Sequence, residues 1–312
     1  MKSIVTLTMN PSVDYSSTVD HVVAERKLRC GAPRYEPGGG GINVSRVIKR
    51  FDEKSLAIYV AGGLTGHMLQ DLLDHEGLDH RSVPVRDLTR INFMVIEEAT
   101  GLQFRFGMPG PTLTEPEWQR CLLELSAIQP KPDYIVASGS LPPGVPDDFY
   151  ARVTRISREL GARLIVDTSG EALRAAVKAG VYLFKPNMRE LQGLVGRNIR
   201  DESQLEISAR EVVERGGSEI VVVSLGAAGA LMVTRERSER IRAPTVPIGS
   251  KVGAGDSMVA GIVLSLARGM SVREAVRFGV AAGAAAVMTP GSELCRKEDA
   301  ERLYQSMLAQ VS

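Results

Sequence analysis

From about residue 55 onward, short apolar runs rich in β-branched residues alternate with longer segments of helical periodicity. The apolar runs lie at 56–61, 134–138, 164–167, 182–184 and 220–224. The helical segments lie at 65–76, 115–128, 147–160, 203–215, 256–267 and 272–287. Runs that are apolar throughout are typical of parallel strands covered on both faces. The alternation therefore predicts an α/β fold with a doubly wound, mostly parallel sheet flanked by helices.

Two stretches depart from this alternation. Residues 12–36 contain strand-like pieces without a strong helix, and residues 91–108 predict a hairpin with its turn near Gly101. Together, about residues 12–36 and 89–108 predict a small β-sheet lid over a cleft, although they could also be extra edge strands. No long Pro/Gly/Ser linker divides the chain, so residues 1–312 are expected to form one domain.

Composition narrows the class of protein. The net charge is +1 with basic and acidic residues mixed, which argues against nucleic-acid or anionic-membrane partners. Cys30, Cys121 and Cys295 are far apart, so they predict reduced thiols instead of disulfides or a zinc site. No apolar run reaches the roughly 18 residues of a membrane helix, and residues 1–14 predict a strand and not a signal peptide. A cytoplasmic location is expected.

The stretch Val-Gly-Ala-Gly-Asp at 252–256 precedes a helical segment. Gly253, Ala254 and Gly255 would let backbone N–H groups approach an anion at the start of that helix, where the helix dipole adds partial positive charge. Phosphoryl transfer needs such a cradle, and it needs a base beside it to take the proton of the attacking hydroxyl. Asp256 is the candidate base. The alternative is that Asp256 only caps the helix.

The stretch Lys-Pro-Asn-Met-Arg-Glu at 185–190 directly follows a predicted strand. Ligands in open α/β sheets bind beyond the carboxyl ends of strands. Asn187 and Glu190, three residues apart, could hold Mg²⁺ or its water ligands, and Lys185 could contact a phosphate. The alternative is a capping arrangement at a helix start.

Four glycines at 38–41 precede a predicted helix at 44–49, and Asn43 could bind a sugar hydroxyl there. The alternative is a flexible turn. Residues 224–230 lie between two predicted strands and indicate either a nucleotide loop or a tight connection. Arg90 and Arg105, in or beside the predicted lid, suit a phosphate on the substrate, whereas exposed arginines are usually only solvated.

These motifs, in this order, resemble the ribokinase-type (PfkB) carbohydrate kinases: GGGGIN, KPNxxE, SLGxxGA and GAGDSM. The resemblance covers essentially the whole chain and implies a ribokinase-like fold with a β-sheet lid. It also implies transfer of a phosphoryl group from ATP, with Mg²⁺, to a phosphorylated ketohexose.

Within the family, the stretches FRFGMPG, GSLPPGVP and VDTSGEAL are most similar to kinases of fructose 6-phosphate. Kinases of fructose 1-phosphate and tagatose 6-phosphate, the alternative substrates, usually have Lys where Gly40 stands.

The resemblance assigns roles residue by residue. Asp256 is matched to the general base, and Gly253, Ala254 and Gly255 to the anion hole. The residues matched to the sugar and its phosphate are Asp14, Lys27, Gly39, Gly40, Asn43, Arg90, Arg105 and Ser140. Those matched to the nucleotide are Lys185, Asn187, Ser224, Gly226 and Gly229. Asn187 and Glu190 are matched to the pair that organises Mg²⁺, acting through water.

A potassium ion and a partner chain also follow from the resemblance alone. The ion would be held by the backbone carbonyls of Ser250, Val252, Ala286, Thr289 and Gly291. Lys251 stands where many relatives have Thr, so a cation there either strengthens the ATP contacts or competes with potassium. The lid implies a homodimer.

Two other classes of protein are not favoured. A catalytically silent binding protein on this fold is expected to have lost the base or the cradle, and both motifs are present. A dinucleotide-dependent oxidoreductase is expected to have a glycine fingerprint after the first strand, which is absent from the sequence.

Overall fold

The computed structural model describes residues 1–309, which form two separate β-sheets and ten α-helices. The strands are β1 (Ile4–Thr8), β2 (Ser12–Val19), β3 (Arg34–Gly38), β4 (Leu56–Ala61), β5 (Asp79–Pro84), β6 (Arg90–Glu97), β7 (Gln103–Phe106), β8 (Tyr134–Ser138), β9 (Arg163–Asp167), β10 (Val181–Phe184), β11 (Ser218–Ser224), β12 (Ala230–Val233) and β13 (Ser238–Ile241).

The large sheet has nine strands in the order β13-β12-β11-β10-β9-β8-β1-β4-β5. All neighbours in it pair in parallel except β11 with β12 and β12 with β13, which are antiparallel. β1 and β8 are buried at every position, as strands covered on both faces must be. The predicted mostly parallel, doubly wound sheet is confirmed.

Ten helices cover this sheet. They are α1 (Gly40–Arg50), α2 (Gly63–His75), α3 (Glu115–Ser126), α4 (Phe149–Leu160), α5 (Gly170–Ala179), α6 (Met188–Val195), α7 (Glu202–Glu214), α8 (Ala254–Ala267), α9 (Val272–Val287) and α10 (Lys297–Ala309). Helices α1, α8, α9 and α10 pack in one apolar core and α3 to α7 in another. Alternate strand residues divide between the two cores, with Ile4 of β1 in the first and Val5 in the second.

The second sheet, hereafter the small sheet, has four strands in the order β3-β2-β6-β7. β6 and β7 form the predicted antiparallel hairpin, in which Phe93 pairs with Phe106. β2 pairs with β6 in parallel and with β3 in antiparallel orientation. Val13 of β2 is fully buried against Ile42 of α1 and Leu69 of α2, so the small sheet is packed on the helices beside the large sheet.

Several elements differ from the sequence prediction. The edge strands β5 and β13 were not predicted, because neither is a continuous apolar run. Helices α5 and α10 were also not predicted. Helix α1 begins at Gly40 and not at residue 44, so two of the four glycines belong to its first turn. Within residues 1–309, none of the helices combines the length and the apolar character that a membrane-spanning segment needs.

Candidate active site

Several of the predicted site residues lie at or beyond the carboxyl ends of the strands of the large sheet. Ser140 follows β8, Lys185 follows β10, and Ser224 ends β11. The chain order reverses between β1 and β8, because β4 and β5 extend the sheet from β1 while β9 to β11 extend it from β8. Asn10 Nδ2 donates to Ser140 Oγ at 3.0 Å across this point. Such a switch point is where open α/β sheets form a ligand-binding crevice.

The glycine motif forms the start of helix α8. Gly253 is the N-cap residue, with a φ of 71°, and no side chain caps the helix there. A Cβ on Gly253 would lie 2.6 Å from Leu294 Cδ2, so this position needs glycine for its backbone conformation and for space. The first N–H groups of α8 have no partner within the helix and are available to an anion.

Asp256 lies in the first turn of α8, three residues after the N-cap. Its Oδ2 accepts a 2.8 Å hydrogen bond from Asn43 Nδ2 of helix α1. The alternative that Asp256 caps the helix is therefore wrong, because the N-cap position belongs to Gly253. The carboxylate of Asp256 is directed toward α1, and the residue as a whole is half-buried.

The surroundings of Asp256 raise its pKa to about 6. Burial is the main cause, and the hydrogen bond from Asn43 acts in the opposite direction. The negative charges of Asp167 and Asp14 raise the pKa further, while the Lys185 ammonium lowers it. A carboxylate with a pKa just below neutrality accepts a proton efficiently and is still ionised at pH 7.

Lys185 is a buried ammonium beside the cradle. Its Nζ lies 3.3 Å from Oδ1 of Asp167, the last residue of β9. A Cβ on Gly255 would lie 3.6 Å from the same Nζ, so the ammonium adjoins the α8 start. Burial opposes the charge on Lys185, but the carboxylates of Asp167 and Glu190 outweigh it and raise its pKa. Sequence reasoning missed Asp167, although its place at a strand carboxyl end was a usable signal.

Asn187 and Glu190 form a capping box at the start of helix α6. Asn187 Oδ1 accepts from the Glu190 backbone N–H at 2.9 Å, and Glu190 Oε2 accepts from the Asn187 N–H at 2.8 Å. The capping alternative is thus correct in geometry. The box still leaves the second oxygen of Glu190 and a lone pair of Asn187 Oδ1, so the pair fits a metal ion that keeps its waters. Burial raises the pKa of Glu190.

The loop after β11 lies next to this capping box. Ser224 forms an isolated parallel β-bridge with Asn187, and the backbone N–H of Ser224 donates to the Pro186 carbonyl at 2.8 Å. Gly226 to Ala228 form a single 3₁₀ turn. A Cβ on Gly229 would collide with the Ile241 carbonyl, whereas one on Gly226 would meet nothing within 4 Å. Gly229 is therefore required for packing, and Gly226 borders open space.

The small sheet supplies the opposite wall of the site. Asp14 Oδ1 accepts from Ser12 Oγ at 2.7 Å and from Asn92 Nδ2 at 2.8 Å. A cavity of about 440 Å³ is lined by Asp14, Asn92, Arg90, Arg105, Val252 and Ser292, among others. Since Val252 immediately precedes Gly253, this cavity extends to the segment that leads into the α8 cradle. Asn92 was not among the predicted residues.

Arg90 is held by backbone carbonyls. Its guanidinium donates to the carbonyls of Asn10 at 2.8 Å and Met108 at 3.1 Å, and within residues 1–309 no carboxylate forms an ion pair with it. Burial lowers its pKa, although Asp14 acts against this. The positive charge of Arg90 is therefore left for a ligand in the cavity.

The other predicted sugar-side residues differ in position. Arg105 lines the same cavity and is exposed. Lys27 lies in the exposed segment between β2 and β3 and is not among the residues that line the cavity. Asn10 Oδ1, beside Ser140, is buried without a hydrogen-bond partner in the described part of the chain. An orphaned acceptor of this kind is what a water or a ligand hydroxyl satisfies.

Gly39 and Gly40 bring helix α1 against the ends of β1 and β8. Gly39 is the N-cap residue of α1, with a φ of 119°. A Cβ on Gly40 would collide with Ser138 Oγ and would lie 3.0 Å from the Gly139 nitrogen. Any side chain at residue 40 therefore requires the end of β8 to move.

The segments predicted to hold potassium are adjacent. The Ser250 N–H donates to the Val287 carbonyl at 3.1 Å, and Thr289 Oγ1 donates to the Ala286 carbonyl at 2.7 Å. Ser250 and Thr289 are buried, and Gly291 has a φ of 63°. The two segments are thus in contact, although the Ala286 carbonyl already accepts a hydrogen bond from Thr289.

A second cavity lies away from these residues. It has a volume of about 650 Å³ and is lined by Arg163, Tyr182 and Glu219, among others, at the amino ends of β9, β10 and β11. The Arg163 guanidinium lies over the Tyr182 ring and donates to Tyr134. None of the predicted site residues lines this cavity. The candidate active site is therefore the cavity of about 440 Å³ beside the small sheet.

Comparison with known proteins agrees with this geometry. The family model described as pfkB family carbohydrate kinase matches residues 7–299. The chain belongs to the pfkB family of carbohydrate kinases. As a pfkB carbohydrate kinase it is a phosphotransferase that acts on a sugar, and the predicted family fold is confirmed.

Individual pfkB relatives match nearly the whole chain. An ATP-dependent 6-phosphofructokinase isozyme 2 from Mycobacterium tuberculosis is 46% identical over 97% of this chain and 89% of its own. A 1-phosphofructokinase from Bacillus subtilis is 34% identical over 96% of this chain and 97% of its own. The crystal structure of phosphofructokinase-2 from Escherichia coli in complex with potassium has a TM-score of 0.95. It is 43% identical and matches over 99% of this chain and all of that one.

Proposed function

We propose that this protein transfers the γ-phosphoryl group of ATP to the free primary hydroxyl of fructose 6-phosphate. The proposal rests on the observation that two features lie at one site. One is the Asp256 carboxylate beside the N-terminal amides of α8. The other is Arg90, a partly buried cation without a carboxylate partner among residues 1–309, in the cavity that extends toward those amides.

The reaction follows from the positions of these groups. The Asp256 carboxylate accepts the proton of the sugar hydroxyl as its oxygen attacks the γ-phosphorus of ATP. The new bond joins that oxygen to phosphorus, and the bond between the γ-phosphorus and the β–γ bridging oxygen breaks, which releases ADP. The backbone N–H groups of residues 253–255 stabilise the charge on the transferring phosphoryl oxygens. Lys185 adds positive charge beside them.

Asn187 and Glu190 are proposed to hold Mg²⁺ through its water ligands. When bound, this ion neutralises charge on the phosphate chain of the nucleotide. Ser224 and Gly226 are proposed to adjoin the nucleotide, since Ser224 bridges to Asn187 and Gly226 borders open space. The backbone oxygens of residues 250–252 and 286–291 are proposed to hold potassium, which the structure of the Escherichia coli relative contains.

The choice of sugar phosphate depends on the small sheet. Asp14 and Asn92 offer oxygen and nitrogen atoms to sugar hydroxyls, and Arg90 and Arg105 offer positive charge to the phosphate already on the sugar. The relative of highest identity among those named above carries the name 6-phosphofructokinase, and the 1-phosphofructokinase is less similar. Gly40 agrees with this choice, because a lysine there would collide with the end of β8.

A panel of sugars in a coupled ADP-release assay tests the proposal. We expect the highest kcat/KM with fructose 6-phosphate and lower values with fructose 1-phosphate, tagatose 6-phosphate, free fructose and ribose. A preference for fructose 1-phosphate or tagatose 6-phosphate would replace the substrate but keep the reaction. A preference for an unphosphorylated sugar would overturn the role of Arg90 and Arg105.

Two chains are proposed to pair through the small sheet. Tyr35, Tyr15, Phe93 and Phe106 lie in one cross-strand row, since each pairs in register with the next. Tyr35 is 41% and Phe106 49% exposed, so the ends of the row offer aromatic surface to a partner. The free thiols and the phosphorylated substrate support a cytoplasmic location as part of this proposal.

A further inference from the structure

Helix α1 carries a buried arginine, Arg46. Its side chain is 3% exposed. Nε and Nη2 donate to the Glu76 carboxylate, with the shortest contact at 2.7 Å. Nη1 donates in another direction, to the Pro37 carbonyl at 3.0 Å and to Asn43 Oδ1 at 3.3 Å. The guanidinium therefore joins α1 to the end of α2, to β3 and to Asn43.

The contact with Asn43 fixes the orientation of its amide group. A guanidinium can only donate hydrogen bonds, so the oxygen end of the amide must face Arg46. The nitrogen end then faces Asp256, to which it donates at 2.8 Å. A reversed amide would place its NH₂ group against the guanidinium and its oxygen against the carboxylate, and both contacts would be repulsive.

We propose that Arg46 is a positioning residue for the reaction: through its contact with Asn43 Oδ1, it keeps Asn43 Nδ2 directed at the carboxylate that accepts the proton. This inference rests on the proposed role of Asp256 as the base. Arg46 itself touches neither substrate nor Asp256, and it acts only through Asn43.

The Arg46 guanidinium also links the orientation of the Asn43 amide to the small sheet. Arg46 Nη2 lies 3.5 Å from Oε1 of Glu36 in β3, and Glu36 is buried. The other oxygen of Glu36 accepts a hydrogen bond from Ser292 Oγ. Ser292 lines the cavity of about 440 Å³ that also contains Arg90. Docking of β3 against α1 and orientation of the Asn43 amide therefore depend on one side chain.

The charged neighbours of Asp256 and of Arg46 lie on different elements of the fold. Asp256 is faced by Asp14 from β2, Asp167 from β9 and Lys185 after β10. Arg46 is faced by the carboxylates of Glu36 and Glu76, and Arg50 lies one turn further along α1. A change at Arg46 leaves the charged neighbours of Asp256 in place, so its effect on Asp256 is transmitted by Asn43.

Substitution Arg46→Lys tests the proposal. A lysine keeps the charge opposite Glu36 and Glu76, but its single ammonium cannot reach Glu76 and Asn43 together as the planar fork does. We expect kcat to fall about tenfold, the size of coupling that neighbouring polar groups commonly show, with the KM for ATP within about twofold of wild type. The acid limb of the kcat/KM profile should move to higher pH, because the hydrogen bond from Asn43 lowers the pKa of Asp256.

The control is Glu76→Gln. It removes the ion pair with Arg46 but leaves the Nη1 contacts with Asn43 and Pro37. We expect a lower melting temperature with kcat within about twofold of wild type, which separates stability from positioning. If Arg46→Lys does not fold, the double variant Arg46→Gln/Glu76→Gln takes its place in the test. It removes both charges of the ion pair together, so neither charge is left buried without the other.

A double-mutant cycle gives the decisive result. In an Asn43→Ala background, Arg46→Lys should lower kcat by less than about twofold, since the group through which Arg46 acts is gone. A full tenfold loss in that background, or no loss in the wild-type background, would overturn the proposal. A wild-type protein without kinase activity on any sugar phosphate would instead overturn the proposed function.

Discussion

Lys185 Nζ lies 3.3 Å from Asp167 Oδ1, and the two side chains are 7% and 17% exposed. The pair joins the carboxyl ends of the neighbouring strands β9 and β10. Glu190 and Asp256 also act on the same ammonium, so one cation is shared by three carboxylates. These carboxylates hold the Lys185 ammonium in place beside Gly255, at the start of α8.

Substitution Asp167→Asn should weaken both stability and nucleotide binding. Removing one partner of a buried ion pair lowers the free energy of unfolding by about 3 kcal/mol, and Glu190 and Asp256 limit the loss. The KM for ATP should rise, because the ammonium is no longer held beside Gly255. Chemical denaturation and steady-state kinetics measure the two effects. The surface pair Arg302–Asp299, whose side chains are 60% and 25% exposed, gives the control, since Asp299→Asn should change both quantities much less.

Substitution Asp256→Asn should abolish most turnover while the protein stays folded. Loss of a general base lowers kcat by about 10²- to 10⁴-fold. Binding of ATP, measured by calorimetry, should persist because the α8 amides and Lys185 are unchanged. A variant that kept wild-type kcat would show that this carboxylate does not take the proton.

The same variant should be more stable than wild type at high pH. The pKa of Asp256 is raised from 3.8 to about 6, so the folded protein binds the proton more tightly than the unfolded chain. Ionised Asp256 therefore destabilises the fold, and this cost grows as the pH rises from about 4 to above 6. Melting temperatures of the two proteins should diverge over this range. An equal difference at pH 4 and pH 8 would contradict the raised pKa.

Activity should follow the ionisation of the base. The carboxylate must be unprotonated to accept a proton, so kcat/KM should fall as the pH drops through about 6, the pKa of Asp256. Above that value the profile should be level until another group titrates. Initial rates over a pH series, with saturating Mg²⁺ and constant ionic strength, give the midpoint.

Much of this site could be predicted from sequence because its motifs are local. Gly253 to Asp256, and Asn187 with Glu190, each lie within four residues, and helix-start chemistry explains both. Asp167, Asn92 and Arg46 were missed because none of them belongs to a motif with a recognised chemical role. Their partners Lys185, Asp14 and Glu76 lie on other elements of the fold. Asn43 and Asp256 are 213 residues apart, and no spacing rule relates them.

The fold was predictable where strands are buried on both faces. β4 and β8 to β11 contain the predicted apolar runs, which is why most of the parallel part of the large sheet was found. β5 lies at the sheet edge with Val83 as its one buried residue, so its sequence resembles a loop. Helix α10 was missed although Ala300, Leu303, Tyr304 and Met307 carry a helical apolar period, because charged residues separate them.

Substitution Gly40→Ala should destabilise the protein and lower activity. The new methyl group would collide with Ser138 Oγ and press on the Gly139 backbone. Gly193→Ala, inside helix α6, is the control because a Cβ there meets nothing within 4 Å. That control should stabilise the protein by about 1 kcal/mol, since alanine is the better helix former. Thermal unfolding of both variants measures the two changes in stability, which should have opposite signs.

Substitution Phe106→Asp should convert the proposed dimer to monomers. A carboxylate at the exposed end of the aromatic row would be buried against the partner without a counter-charge. Sedimentation or light scattering gives the mass of each form. Leu123→Asp places the same charge on α3, where Leu123 is 66% exposed, and should leave the mass unchanged. A wild-type protein that is monomeric would refute the pairing.

The division of the site between two sheets bears on how such a protein can change its substrate over evolutionary time. Asp14, Arg90 and Asn92 stand on the small sheet, a four-stranded module, whereas Lys185 follows β10 of the large sheet and Asp256 lies in helix α8, which covers that sheet. In the proposed reaction, mutations in the module act mainly on recognition of the acceptor, and they reach Asp256 through the charge of Asp14 and through the link from Glu36 to Arg46. A change of acceptor on this fold therefore has to preserve those two links if the chemistry is to be inherited intact.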